Sequence, residues 1–390
     1  MARRAKAMPW KRVEPMDQKV QLIADWQSEN FSKTDLSKKY DISRKTVDKW
    51  INRYSTQGID GLKDQSKAPI NRPHATSERI VKRIIAHKLK NRYRGPRKIY
   101  HQLTKKYPDI GWPVPSTIGY WLKKHGLVTQ RKKRSRVAPF NEPFIDCQSP
   151  NDVWSADYKG QFTTKNNRKC YPLTISDNFS RYLIKCHGLL GPRYRESRLI
   201  FEKAFREYGL PDAILTDNGT PFASSSVAGL SRLSIWWIQL GIIPERIEKG
   251  CPQQNGRHER MHRTLKYETL DTKAKNIKEQ QQRFDLFQID YNNNRPHEAL
   301  GQNTPSDYYQ KSKRSYVERA RKPAYDYDLC VRQVRNNGEI RFKGQMYFLT
   351  NLLDDQPVGL KQIDEDSWDI YYHFFPIATL NVRKNKIFSK

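Results

Sequence analysis

The sequence predicts a multidomain α/β protein: two small all-α units, a mixed-sheet core and a β-rich C-terminal unit. Three observations carry that expectation. Up to about residue 127 the apolar residues recur at helical spacing. From residue 151 short apolar strand-like runs alternate with amphipathic helical stretches, the pattern of a mixed sheet flanked by helices. After Pro323 short strands separated by turns follow one another, which suggests a small barrel.

Composition narrows the function. The chain has 390 residues, 72 Lys plus Arg against 41 Asp plus Glu, and a formal charge of +31. Its length allows about two to four domains, and 36% hydrophobic content supplies real cores. Such a surplus of charge repels itself unless neutralised, and nucleic acid is the commonest polyanion that does so. A basic membrane-surface protein is the competing reading, but no apolar run of about 18 residues occurs. Residues 1–12 are basic with no apolar stretch after them, so no signal peptide is expected. The five cysteines, Cys147, Cys170, Cys186, Cys251 and Cys330, are odd in number and show no Cys-x-x-Cys spacing. That argues for a reducing setting, with no disulfide framework and no cysteine-based zinc site. The expected location is the cytoplasm, the bacterial cytosol or nucleoid.

Residues 1–58 predict a helix-turn-helix unit. Val20, Ile23 and Ala24 give a first helical stripe, and Ser32-Lys33-Thr34-Asp35 is a capping box opening a second helix. Past the Asp41-Ile42 turn, Ser43 caps a third helix whose Val47, Trp50, Ile51 and Tyr54 follow i, i+3, i+4, i+7. Its other face carries Arg44, Lys45, Lys49, Asn52 and Arg53, which are expected to bind DNA. A plain three-helix bundle with a solvated charged face is the alternative.

Residues 59–76, rich in Gly and Pro, form a linker, and residues 77–127 a second helix-turn-helix unit. There Ile80, Val81, Ile84, Ile85 and Leu89 make one stripe, and Ile99, Tyr100 and Leu103 another. Pro115-Ser116-Thr117 then starts a helix with Ile118, Trp121 and Leu122 inward. Residues 128–150 are a basic linker in which Arg131, Lys132, Lys133 and Arg134 are expected to track phosphates. A solvated tail is the bland alternative.

The core is expected over 151–312 and the β-rich unit over 313–390. Core strands are predicted at 153–158, 170–176, 182–187, 213–216 and 242–243, with helices near 195–208, 224–240, 256–266 and 278–291. Asp157 lies mid-strand between apolar neighbours, a poor place for a carboxylate that nothing pairs with. Asp217 closes another strand just before Gly219, and Glu259 opens a helix behind the turn of Pro252, Asn255 and Gly256. Hard carboxylate oxygens without cysteine suit Mg²⁺ or Mn²⁺. Two such ions about 3.5–4 Å apart can activate an attacking hydroxyl and stabilise the leaving oxygen of a phosphodiester. Three acids can also be drawn from 41 by chance, so spacing alone leaves the trio open.

The motifs add a resemblance. Trp154-Ser155-Ala156-Asp157, Thr216-Asp217-Asn218-Gly219 and the run 252–260, Pro-Gln-Gln-Asn-Gly-Arg-His-Glu-Arg, resemble the three acidic motifs of the DDE transposase and retroviral integrase superfamily. Tyr291-Asn292, Arg295-Pro296-His297, Leu300 and Thr304-Pro305 resemble the segment that closes the catalytic domain in its insertion-sequence members. The resemblance covers about residues 150–310. It implies an RNase H-like core in which Asp157, Asp217 and Glu259 are catalytic and bind two Mg²⁺ or Mn²⁺ ions. It also implies that Lys266 holds DNA, that Asp177 is structural, and that neither ATP nor a covalent enzyme intermediate takes part. Retroviral integrases carry a zinc module before the core; here helix-turn-helix units stand in its place.

The function so implied is that of a DNA transposase, a polynucleotidyl transferase. It would bind the terminal inverted repeats of a mobile element, cleave the 3′ ends and join them to target DNA by transesterification. The implied partners are double-stranded DNA, repeats and target alike, and further copies of the chain in a homodimer or higher oligomer; no membrane is involved. Two rivals stand beside it. One is a DNA-binding regulator with an inactive core. The other is a zinc protease, because residues 258–262 fit H-E-x-x-H. A helix carrying Arg257, Arg260, Arg263 and Lys266 suits DNA better than a protease interior. In the transposase reading His258 and His262 lie about 100° and 300° around the helix from Glu259 and have no role, whereas Lys266 returns to within about 20° of it.

Overall fold

Ser32 and Ser43 punctuate the first unit as their side-chain chemistry requires. In the computed structural model they divide α1 (Pro15–Gln27), α2 (Lys33–Lys39) and α3 (Arg44–Gln57). The Ser32 hydroxyl accepts from the Asp35 amide while the Asp35 carboxylate accepts from the Ser32 amide, and Ser43 accepts from the Thr46 amide. The structure describes residues 15–65, 75–128, 147–248, 251–318 and 323–389, and falls into two compact units, Met1–Ala75 and Thr76–Lys390.

The helices of the first unit enclose Leu22, Ile23, Leu36, Val47, Trp50, Ile51 and Leu62. Each aliphatic side chain so buried contributes about 1.5–3 kcal/mol. Two expectations are corrected here. On α1 the buried pair is Leu22 and Ile23, whereas Val20 is 45% exposed, because packing against α2 and α3 selects the face. The linker expected from residue 59 starts later: Gly58–Leu62 form a 3-10 turn that folds back and buries Leu62.

The second unit begins with α4 (Glu78–Lys90), α5 (Pro96–Lys106) and α6 (Pro115–Lys124), the last two opened by a proline in the first turn. Ile84, Ile99, Leu103, Trp112, Ile118 and Leu122 form their core. Leu89, expected inward, is 54% exposed, and Trp121 stays outside that core.

A mixed sheet follows: β1 (Val153–Tyr158), β2 (Phe162–Thr163), β3 (Lys169–Asp177), β4 (Leu183–Leu189), β5 (Ala213–Thr216) and β6 (Ile243–Arg246). The path is β2-β3-β1-β5-β6, with β4 also paired to β3. β3 runs antiparallel to both of its neighbours, β4 and β1, while β1, β5 and β6 run parallel. Side chains alternate between the faces. Trp154 and Ala156 enter a core with α7 (Tyr194–Tyr208) and α8 (Arg232–Gln239), built on Phe201, Phe205, Trp236 and Trp237. Asp157 points to the opposite face, where α9 (Gly256–Thr269) and α10 (Ile277–Asn293) pack through Met261, Leu265, Phe284, Phe287 and Tyr291. The helix expected over 224–240 is shorter, since Ala228 takes φ +50° in a 3-10 turn and Ser231 caps the true start.

The sheet domain runs past residue 312. The Ser312 amide bonds Tyr208 O, the Leu210 amide bonds Arg314 O, and Tyr316 packs on the aromatic core, so the boundary expected at 313 lies too early. The α4–α6 unit is fastened to this domain by an Arg94–Asp290 ion pair, Arg97–Glu298 at 2.9 Å and a hydrogen bond from Gln102 Nε2 to Asn294 O at 2.6 Å.

The C-terminal strands are β7 (Cys330–Gln333), β8 (Glu339–Phe342), β9 (Gln345–Phe348), β10 (Pro357–Gln362), β11 (Ser367–Tyr372), β12 (Phe375–Asn381) and β13 (Lys386–Ser389). They form a five-stranded antiparallel sheet, β13-β12-β11-β10-β7, and a β8-β9 hairpin. Both cover one core that also takes in Ala228, Leu230, Ile235 and Ile238 of the sheet domain. Among the described residues, no helix is long and apolar enough to cross a membrane.

Candidate active site

Parallel register brings two acids together. Ala156 of β1 pairs with Thr216 of β5, so the next residue on each, Asp157 and Asp217, ends up on the same sheet face at neighbouring strand ends. Asp157 is nearly buried, its side chain 13% exposed. Burial, and after it the charge of Asp217, pushes its carboxyl up to about 7, against the pull of a hydrogen bond from Asn255. Asp217 accepts from the Gly219 amide at 3.1 Å, and a Cβ at Gly219 would stand 3.0 Å from Asp217 Oδ2, so glycine leaves this carboxylate room. Asn218 Nδ2 ties the turn to Ile247 O at 2.8 Å.

The start of α9 lies over this pair. Asn255 Nδ2 donates to Asp157 Oδ2 at 2.8 Å, and His262 Nδ1 stands 3.7 Å from the same oxygen. His258 and His262 are both buried, and each brings Nε2 to 2.6 Å from Thr174 Oγ1. Thr174 is the cross-strand partner of Asp157, and its hydroxyl donates to Asp157 O at 3.1 Å. Ser176 Oγ lies 3.3 Å from His258 Nδ1. Burial keeps both imidazoles neutral, lowering His258 to about 3 and His262 further still.

Glu259 is exposed, and among the described residues no hydrogen bond or ion pair engages it. At about 100° per residue it lies about 40° around the helix from Asn255 and about 60° from His262, the two residues that reach Asp157. It therefore stands at the solvent edge of the Asp157 side of α9. Lys266 is exposed two turns further along that side.

Of the other expected residues, Arg44, Lys45, Lys49 and Asn52 lie exposed on α3. Arg53 is half-buried, its guanidinium 5.2 Å from the Trp50 ring centroid. Arg131, Lys132, Lys133 and Arg134 fall outside the described residues. Asp177 is buried and accepts from the Asn151 and Ser180 amides and the Ser180 hydroxyl, all contacts within the fold. Sequence reasoning gave Thr174 no role, Asn255 only a place in the turn before α9, and the two histidines a role only in the rival protease reading. Asn255 could have been found inside the motif that carries Glu259; Thr174 could not, because only the β1–β3 register puts it opposite Asp157.

The donor set fits a hard divalent cation. Asp157 and Asp217, on neighbouring strands, offer carboxylate oxygens of the kind Mg²⁺ and Mn²⁺ take.

Family models described as integrase core domains match residues 148–252 and 240–305, and others described as helix-turn-helix and homeodomain-like domains match 18–70 and 46–122. Fold and site together define a helix-turn-helix protein with an integrase core. Residues 148–305 thus carry an integrase core domain, and the chain resembles proteins of insertion elements. It is 28% identical over 188 residues to an uncharacterized 31.7 kDa protein of insertion element IS407 from Burkholderia multivorans, covering 47% of this chain and 64% of that one. It is likewise 28% identical over 250 residues to an uncharacterized 39.2 kDa protein of insertion element IS476 from Xanthomonas euvesicatoria, covering 62% and 67%. The chain thus spans about two thirds of each relative's length. Among solved structures, the HTLV-2 integrase catalytic core in complex with magnesium aligns with 42% of this chain and 99% of its own, at 16% identity and a TM-score of 0.31.

Proposed function

We propose that the protein is a DNA transposase, a polynucleotidyl transferase that binds the terminal inverted repeats of its element, cleaves their 3′ ends and joins them to target DNA. The observation that carries this reading is the pairing of Asp157 with Asp217 beneath the Asn255 end of α9. Asp157, Asp217 and Glu259 are the catalytic, metal-holding acids. Two Mg²⁺ or Mn²⁺ ions bound there would activate the attacking hydroxyl and neutralise the leaving oxygen. Asn255 orients the Asp157 carboxylate, and Thr174 with the two histidines seats α9 so that Glu259 lies at the solvent edge on the Asp157 side. Lys266 grips the donor strand.

In the same reading Arg44, Lys45, Lys49, Asn52 and Arg53 bind the repeat, residues 77–127 form a second DNA-binding domain, and Arg131, Lys132, Lys133 and Arg134 follow phosphates between domains. The core forms an RNase H-like domain and the C-terminal strands a barrel-like one. A homodimer or larger assembly in the bacterial cytosol pairs two ends. The protease reading is disfavoured because Glu259, which would have to serve as its base beside a histidine-bound ion, is exposed to solvent while both histidines are buried.

The test is replacement of Asp157, Asp217 or Glu259 by its amide. Each variant should lose Mg²⁺-dependent cleavage and joining yet still bind end DNA. Cleavage that persists in any one of them removes that residue from the site.

A further inference from the structure

Hydrogen positions around Thr174 follow from counting donors. Its hydroxyl has one proton, and Asp157 O, 3.1 Å away, is an acceptor only. When that proton goes to Asp157 O, both imidazoles at 2.6 Å donate Nε2–H to the Thr174 oxygen, the arrangement that leaves His262 Nδ1 open toward Asp157. Each ring is neutral, so each Nδ1 carries a lone pair. The Ser176 hydroxyl lies in reach of the one on His258. No hydrogen bond among the described residues engages Nδ1 of His262, which confronts Asp157 Oδ2 at 3.7 Å.

A cation between Asp157 Oδ2 and His262 Nδ1 would be bound by both. A separation of 3.7 Å exceeds a hydrogen bond, but it is close to the roughly 3.4 Å that separates two ligands at about 2.1 Å from one tetrahedral ion. One ligand atom from each of Asp157, His258 and His262 lies within 4.8 Å of the others, but Ser176 Oγ stands 3.3 Å from His258 Nδ1, which leaves Asp157 and His262 as the open pair.

We propose that Asp157 and His262 form a mixed nitrogen–oxygen cation position that holds a borderline transition ion, such as Zn²⁺ or Co²⁺, more tightly than Mg²⁺. It rests on the reading of Asp157 as a metal ligand and adds to the three acids a nitrogen donor that none of them supplies. Imidazole nitrogen favours the later first-row ions, whereas carboxylate oxygen alone suits Mg²⁺ and Mn²⁺. A chain carrying such a position exchanges its working ion for a tighter one whenever zinc is present, and it does so at Asp157 itself.

The test uses the full chain without DNA, titrated with Co²⁺ and, separately, with Mg²⁺, followed by visible absorption and calorimetry. Co²⁺ should bind at least about tenfold more tightly than Mg²⁺, and His262→Ala should weaken Co²⁺ by about 10–100-fold. His262→Gln guards against misfolding, because its amide still donates to Thr174 but offers no imine nitrogen; it should lose Co²⁺ affinity alike. Asp157→Asn should also weaken Co²⁺. Equal affinity for the two ions in the wild type, unchanged Co²⁺ binding in His262→Gln, or a thiolate charge-transfer band that assigns the ion to cysteine would each overturn the proposal. The transposase reading fails by a different result, cleavage surviving in Asp217→Asn or Glu259→Gln, which leaves the Co²⁺ measurement untouched.

Discussion

Asn255 donates to Asp157 Oδ2 at 2.8 Å across 98 residues of chain, and through this contact the N-terminal end of α9 holds a carboxylate of β1. The amide gives that oxygen a fixed direction in a site where burial and Asp217 both oppose its charge. Asn255→Ala should therefore lower cleavage by about 10–100-fold, the usual cost of removing a group that orients a metal ligand. Affinity for end DNA should stay within about twofold, since the side chain points at Asp157. A loss of DNA affinity equal to the loss of cleavage would show instead that Asn255 contacts the strand.

The exposed face of α3 and the basic run at 131–134 should differ in kind. Arg44→Ala is expected to cost about 1–3 kcal/mol of discrimination between repeat and random DNA. Neutralising Arg131, Lys132, Lys133 and Arg134 should weaken every DNA alike and flatten the salt dependence by roughly one unit per lost phosphate contact. Binding isotherms at several salt concentrations separate the two. Identical behaviour in both variants would abolish the division between reader and tether.

Glu245 of β6 should make stability fall with rising pH. Burial lifts its carboxyl from 4.5 to about 7, and its Oε2 has no hydrogen-bond partner. Between those values the folded chain keeps a proton that the unfolded chain has released, so ionisation above about pH 7 works against the fold. Partial exposure of the carboxyl screens the effect to about 1 kcal/mol. Glu245→Gln should raise the melting temperature at pH 8 and leave it unchanged at pH 4; an equal shift at both values would mean that packing, not charge, is responsible.

Gly61 tests the 3-10 turn that closes the first unit. A Cβ there would stand 2.3 Å from Arg53 O, a backbone atom that cannot swing aside. Gly61→Ala should destabilise that unit by about 1–3 kcal/mol through overpacking. Hydrogen exchange of the α3 amides in the full chain should accelerate, while amides of β1 and β5 keep their rates. Unchanged α3 rates would mean that the turn is not part of the unit's fold.

The local features were legible in the residues alone. Caps such as Ser32 with Asp35, and stripes such as Val47, Trp50 and Ile51, depend on neighbours within about one or two helical turns. Asp157 and Asp217 stand out because a carboxylate inside an apolar strand or after a strand end asks for a partner, whereas Glu259 is joined to them only by the resemblance of its motif. Leu22 in place of Val20, and the late start of α8, were misjudged because propensity and periodicity leave several faces and ends nearly equal, and tertiary packing chooses among them.

The sequence by itself determined which residue types were available: a basic chain, capped helices, a strand that carries Asp157, a strand followed directly by Asp217, and a helix bearing Glu259. Only the tertiary structure decided who faces whom. Register across β1 and β3 put Thr174 opposite Asp157, and the seating of α9 turned His258 and His262 into the sheet and left Glu259 at its edge. Leu62, and the shared core of α8 with the C-terminal strands, were decided in the same way. The physical reason is range. A cap or a stripe is settled within a few residues of chain, whereas a cross-strand pair or a buried helix face is settled by contacts between segments far apart, through register and close packing that no local spacing encodes.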